Sequence, residues 1–248
     1  MNYKYERKVI TDYTKLDKNL KLSLFHASEI AQNVATEFFA TFKSDNYTEK
    51  REHNVVWVLT KSKFHFANYP IWREECYAKT YTTLVKAIRA QIEVLVENNE
   101  GFPFFTTKYE FCPIDIDTRK IRKIDTLNYP KDMDIAESRD KEEFSKLSAS
   151  FNNEHFVYSQ IVHTSDIDFS NHTNNTIYIK YILDSLHSDF LDDKLITDFE
   201  IHYLNESRED DVLDIYKIVN EDHTVDFLIK KNATEIVRAK IKYRLLHQ

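Results

Sequence analysis

The sequence predicts an α+β protein: two similar units in tandem, each a long central helix wrapped by a curved antiparallel sheet. Three observations carry this. A strand, an amphipathic helix and a run of alternating strands occur twice along the 248 residues, at a spacing of roughly 135 residues. Each helix gathers its apolar residues on one stripe and the strands after it alternate with period two, so each needs the other's apolar side. Around the second strand the halves are alike locally, with FHFANYPIWREE standing against FEIHYLNESRED.

Residues 3–15 alternate loosely and read as an edge strand. From Leu22 to Phe42, residues such as Leu24, Ala27, Ala31, Val34, Phe38 and Phe42 recur at helical spacing. The polar stretch 44–54 reads as a loop. NVVWVLTKSKFHF is a strand, ended by the proline of NYPIWREE. ECYAKTYTTLVKAIRAQIEVLVEN reads as one long strand with Ile88, Ala90, Ile92, Val94 and Val96 on its buried face. Residues 102–112 form another strand. Residues 125–150 are charge-rich and weakly periodic, a linker of loop and short helix between an N-terminal unit, 1–124, and a C-terminal unit, 151–248. In the second unit EHFVYSQIVHTS is a strand, 176–190 a helix, and four further strands follow to the end.

Composition narrows the function. Hydrophobic residues at 42% and charged residues at 30% describe a globular chain, not a disordered one. A single glycine removes glycine-rich phosphate loops and the dinucleotide fingerprint in their usual forms. Two cysteines make neither a disulfide framework nor a metal-thiolate cluster. The net charge of −7 argues against broad nucleic-acid binding. The charged start MNYKYERKVITDY is no signal peptide, and no apolar run approaches a membrane span, so the expected compartment is the cytoplasm.

The chemistry-bearing stretch is DIDFSNHTNN, 166–175, which leads directly into the second helix. Its polar side chains suit a helix cap first. His172 at the helix start adds acid–base capacity. Downstream, Glu206 sits in a turn between two strands; beside Arg208, Glu209 and Asp210 its bland reading is a solvated charge. The combination of histidine at a helix start, polar loop and an acid at the matching strand end raises the odds of a site. Sequence alignment of the halves places Ile71 where Glu206 falls, and finds no NHTNN before the first helix, which implies one site per chain.

These residues resemble the acyl-(acyl carrier protein) thioesterase family over nearly the whole chain. The family's loop reads Asp-x-Asn-x-His-x-Asn-Asn, and Asp168, His172, Asn174, Asn175 and Glu206 match it. Ser170 stands where the family's loop asparagine is, and Ser207 where some members have cysteine. The resemblance implies a double hotdog fold, thioester hydrolysis without metal or organic cofactor, and an acyl carrier protein bearing acyl-phosphopantetheine as partner. Glu206 is then the general base, with nucleophile as the lesser alternative. His172 orients water, binds the carbonyl oxygen or protonates the leaving thiolate. Asp168 holds the loop or sets the histidine's tautomer, and Ser170 joins them. Asn174, Asn175, Val34, Phe38, Trp57 and Trp72 are the expected substrate-binding residues, the last four setting the depth of an acyl slot. An acyl-CoA thioesterase and a non-catalytic acyl-binding module are the alternatives on the same scaffold. Arg238, Lys240, Lys242 and Arg244 on the last strand, and Arg119, Lys120, Arg122 and Lys123, are two basic faces for an acidic partner. A double unit acts alone or pairs again as a homodimer.

Overall fold

The computed structural model describes residues 4–246, so residue 3 of the expected edge strand lies outside the described residues. The chain divides into two compact units, Met1–Leu22 with His26–Glu143, and Ser23–Phe25 with Phe144–Gln248. Among the described residues no helix is long and apolar enough to cross a membrane.

The first unit runs β1 (Tyr5–Ile10), α1 (Leu24–Thr41), α2 (Asn46–His53), β2 (Val55–Phe66), β3 (Glu75–Lys86), β4 (Arg89–Glu97) and β5 (Pro103–Asp115). The second runs β6 (Phe156–Ile161), α3 (Asn175–Asp184), α4 (Phe190–Asp193), β7 (Lys194–Tyr203), β8 (Val212–Val219), β9 (Thr224–Lys231) and β10 (Thr234–Leu245). Strand order is β1-β3-β4-β5-β2 in the first unit and β6-β8-β9-β10-β7 in the second. Both orders are first, third, fourth, fifth, second, antiparallel throughout. The internal repeat is therefore a repeat of topology, as the sequence pattern predicts.

The core of the first unit lies under α1, where Ala27, Ala31, Val34 and Phe38 are fully buried. Phe39 packs on Trp57 of β2 and Phe111 of β5, ring centroids 5.2 Å apart in each pair. In the second unit Tyr178, Ile179, Tyr181 and Ile182 form the buried stripe of α3. The Tyr158 hydroxyl of β6 donates to the Tyr181 carbonyl at 2.7 Å, tying helix to sheet.

Three elements differ from the sequence reading. The stretch 44–54 holds α2: Asp45 caps it by accepting from Thr48 N–H at 3.0 Å, and Asn54 ends it in the left-handed conformation, φ 56°. The long strand after Glu75 is a hairpin, with Lys86 opposite Arg89 across a two-residue turn at Ala87 and Ile88. That turn has none of the Asn, Asp or Gly that marks a tight hairpin, and Ile88, expected on the buried face, sits in it 44% exposed. The second helix stops at Asp184 rather than 190. Ser185 folds its hydroxyl back on Ile182 O at 2.6 Å, and Lys217 Nζ takes the Ser185 carbonyl at 2.7 Å.

The stretch 125–150 contains no α-helix. Within the first unit it lies along the sheet: Ala136 N–H donates to Thr82 O at 2.9 Å and Arg139 N–H to Glu93 at 3.0 Å. Lys63 reaches Glu142 at 3.0 Å and Asp140 at 3.3 Å, and Lys108 lies 3.7 Å from Asp140. Within the second unit Ser145 N–H and hydroxyl both donate to Glu200, at 2.7 and 2.9 Å. Arg238 donates to the carbonyls of Leu147 and Ala149. This covering explains how Glu93, Lys108 and Glu200, polar residues on strands, come to be buried. Arg238 also pairs with Glu235, and Lys240 lies 3.3 Å from Asp226, so these two residues of the expected basic face each have an anionic partner within the unit. Asp140→Ala strips an anionic partner from two ammoniums whose side chains are only 8% and 7% exposed. We expect a loss of about 2 kcal/mol, read as a lower urea midpoint at unchanged slope.

Candidate active site

His172 and Glu206 meet. His172 Nε2 lies 3.1 Å from Glu206 Oε2, their side chains 18% and 35% exposed. Arg208 Nη2 approaches the same ring nitrogen at 3.4 Å. One imidazole nitrogen thus faces both a carboxylate and a guanidinium, which holds the ring at the mouth of the loop.

The loop is fixed from within. Asp168 Oδ1 accepts from Ser170 N–H at 2.9 Å and from its hydroxyl at 2.5 Å. Its own N–H donates to His172 O at 2.9 Å, and Asn171 turns the chain at φ 64°. Asp168 therefore grips the loop backbone, and Ser170 binds the aspartate. Asn174 caps α3, accepting at Oδ1 from the Thr176 N–H and hydroxyl, both at 3.0 Å. Asn175 is the first residue of α3.

Two buried tyrosines of α3 hold the loop from below. Tyr181 donates to Asp166 Oδ2 at 2.8 Å; burial and then the aspartate push its phenol well up, so it stays a donor. Tyr178 is engaged with Ser207, the neighbour of Glu206, at 2.8 Å. The turn carrying Glu206 is braced as well. Arg208 N–H donates to Asp211 Oδ2 at 2.9 Å, and Lys231 lies 2.7 Å from Oδ1. Burial pushes the Asp211 carboxyl up, but the Lys231 and Arg208 contacts outweigh it and hold it below its usual range. Nothing in the spacing of Tyr178 and Tyr181 distinguishes a packed tyrosine from one that also bonds through its hydroxyl.

The other expected residues sit in the first unit. Val34 and Phe38 are fully buried and Trp57 is 6% exposed, so they belong to its core wall. Trp72 is at the surface, 52% exposed, with its ring edge-on to Tyr13 at 5.9 Å.

The first unit carries a backbone copy of the 166–175 loop that alignment of the halves missed. Asp17 N–H donates to Lys21 O at 2.7 Å, Asp17 Oδ1 accepts from Asn19 N–H at 2.8 Å, and Leu20 takes φ 58°. Leu22 N–H donates to Pro70 O at 2.8 Å, as Thr173 N–H does to Ser207 O at 2.9 Å. Bond for bond, Lys21 occupies the place of His172, and Tyr69, not Ile71, that of Glu206. A lysine and a buried tyrosine do not make an imidazole–carboxylate pair, so among the described residues this loop geometry carries that pair in the second unit.

A helix set in an antiparallel sheet, twice, with one histidine–carboxylate pair at the second helix, defines a tandem hotdog protein of the thioesterase class. Residues 2–127 match the acyl-ACP thioesterase N-terminal domain and residues 149–245 the acyl-ACP thioesterase C-terminal domain. The chain belongs to the acyl-ACP thioesterase family. It is 24% identical over 217 residues to the chloroplastic palmitoyl-acyl carrier protein thioesterase of Gossypium hirsutum, covering 80% of this chain and 52% of that protein. It is 23% identical over 201 residues to the chloroplastic oleoyl-acyl carrier protein thioesterase 1 of Arabidopsis thaliana, covering 74% and 53%. The chain thus spans about half the length of the curated relatives it matches. Its fold is similar to that of an acyl-ACP thioesterase from Bacteroides thetaiotaomicron, with TM-score 0.87, 21% identity and 98% of each chain covered. It is likewise similar to that of the 12:0-ACP thioesterase from Umbellularia californica, with TM-score 0.84, 15% identity and 99% and 98% covered.

Proposed function

We propose that this chain hydrolyses acyl thioesters of acyl carrier protein, releasing a free fatty acid and the carrier thiol. The contact between His172 Nε2 and Glu206 Oε2 at 3.1 Å carries the reading. Glu206 takes a proton from water, whose oxygen attacks the thioester carbonyl. The oxyanion forms at the start of α3, where Thr176 and Ile177 N–H are spent on Asn174 and Asn175 N–H is the donor to offer. The C–S bond breaks, and the proton returns to the thiolate through His172. Asp168 and Ser170 keep the loop in shape, and the helix cap Asn174 aims the helix end. Val34, Phe38 and Trp57 are assigned to acyl binding within the first unit. The first unit is thus acyl-binding and the second catalytic, and neither metal nor organic cofactor takes part.

Thiol release measured across carrier-protein thioesters of graded length, with matched CoA thioesters alongside, tests this. Turnover is expected with the carrier-protein series above the CoA series. Background hydrolysis of every member would remove the activity; equal turnover would remove the carrier preference. Ser170→Asn should keep or raise turnover, because an amide at that position can still bond Asp168 and adds a second donor. Loss of activity with the fold intact, by circular dichroism and the same assay, would show that this loop works differently from the family's.

A further inference from the structure

Between the two catalytic side chains lies a set of buried hydroxyls that the mechanism above does not use. Ser207 is 0% exposed, Tyr178 2% and Thr173 4%. Thr173 follows His172 in the chain and Ser207 follows Glu206, so each partner in the pair is one peptide away from this set. Thr173 hydroxyl donates to Ser207 O at 3.2 Å. Its oxygen lies 2.7 Å from Ser207 Oγ, which lies 2.8 Å from the Tyr178 hydroxyl. Ser207 N–H donates to the Tyr178 oxygen at 3.1 Å. One arrangement of the protons forms all three bonds: with Thr173 donating to the carbonyl, Ser207 donates to Thr173 and Tyr178 donates to Ser207; in the reverse order Thr173 donates to Ser207 and Ser207 to Tyr178.

The first unit supplies an internal control. Its matching positions are Leu22, Pro70 and Ala27, all buried and none with a hydroxyl. The backbone bond at this junction survives there, Leu22 N–H to Pro70 O. The fold therefore closes the junction without hydroxyls, and has them only in the unit that holds the imidazole–carboxylate pair.

We infer that Ser207, Thr173 and Tyr178 form a clamp that fixes the separation of His172 and Glu206, with Ser207 as a positioning residue and not a nucleophile. As a nucleophile Ser207 would need access to the thioester and a base at its proton. It has neither, because it is fully buried and its hydroxyl faces only the hydroxyls of Thr173 and Tyr178, neither of them a base. Tyr178 is no base either: burial pushes its phenol up, against the pull of the Ser207 and Thr173 hydroxyls. The clamp draws three elements together by short buried bonds, each of which would leave orphaned hydroxyls if one member were cut.

The inference rests on the hydrolase reading for its kinetic test and stands apart from it in a spectroscopic one. Ser207→Ala and Tyr178→Phe should each lower kcat roughly ten- to a hundredfold with KM within about twofold, as a small misplacement of catalytic groups does. Ser207→Cys, which keeps a weak donor and acceptor, should recover part of the loss. In NMR of the intact chain, the His172 imidazole signals should shift or broaden in Ser207→Ala and hold in Ser145→Ala, a serine that bonds Glu200 instead of this set. Total loss in Ser207→Ala with a covalent acyl adduct in wild type at Ser207 would overturn the positioning role. So would unchanged kcat, or a raised KM alone. Were wild type inactive toward every thioester, the hydrolase reading would fail, and the imidazole signals would still decide the clamp: unchanged signals in Ser207→Ala would overturn it.

Discussion

Glu206→Gln is expected to remove nearly all turnover, about 10³-fold in kcat, while the protein stays folded. The amide keeps the size and most of the hydrogen-bonding reach of the carboxylate and loses only its basicity. Its ion-pair contribution to stability is small, because the Glu206 side chain is 35% exposed and an exposed pair is worth about 1 kcal/mol or less. Thermal unfolding should therefore move little while thiol release stops. A variant that turns over at near the wild-type rate would take Glu206 out of the reaction. A variant that is inactive because it has unfolded would show itself in the melt. KM should stay close to wild type, since the carboxylate meets water and the reacting carbonyl, not the acyl chain.

The pair itself was legible in the sequence because its elements are strongly marked. A polar run before a helical stripe positions His172, and the strand-ending turn positions Glu206. Two kinds of feature were not legible. One is backbone equivalence between the halves. The first helix has 18 residues and the second 10, so no single offset aligns both the loop before the helix and the turn after it. A slip of two residues along β2 and β7 keeps every side chain on its own face. Hence the apolar pattern could not tell Ile71 from Tyr69 as the counterpart of Glu206, and the Asp17 loop, which shares no histidine or asparagine pair with 166–175, went unseen. The other is what covers a strand's polar face. Glu93 and Lys108 alternate as solvent-facing residues should; they are buried because Asp140, Glu142 and their neighbours lie over them. Period-two alternation reports which face a side chain takes and is silent on whether a strap lies across it. The hairpin at Ala87 was hidden for another reason: its turn carries no turn residue.

His172→Gln should cost about 10²-fold in kcat. It is the smaller loss of the two, because a glutamine amide can still touch the thioester oxygen, whereas nothing at 206 replaces the base. The informative variant is the double one. If imidazole and carboxylate work as one proton-transfer unit through the 3.1 Å contact, His172→Gln in the Glu206→Gln background should lower kcat by no more than about threefold further. Losses that multiply would mean that the two act on separate steps, with His172 serving the leaving thiolate alone. Arg208 adds a second discriminator, because its guanidinium shares the same ring nitrogen at 3.4 Å. When the ring takes the water's proton by way of Glu206, that cation opposes the charge and favours its onward transfer to sulfur. Arg208→Met should then lower kcat in the thiol-release assay, since the ring passes its proton to sulfur less readily. In the His172→Gln background the same substitution should change kcat little, since the group on which the guanidinium acts has gone.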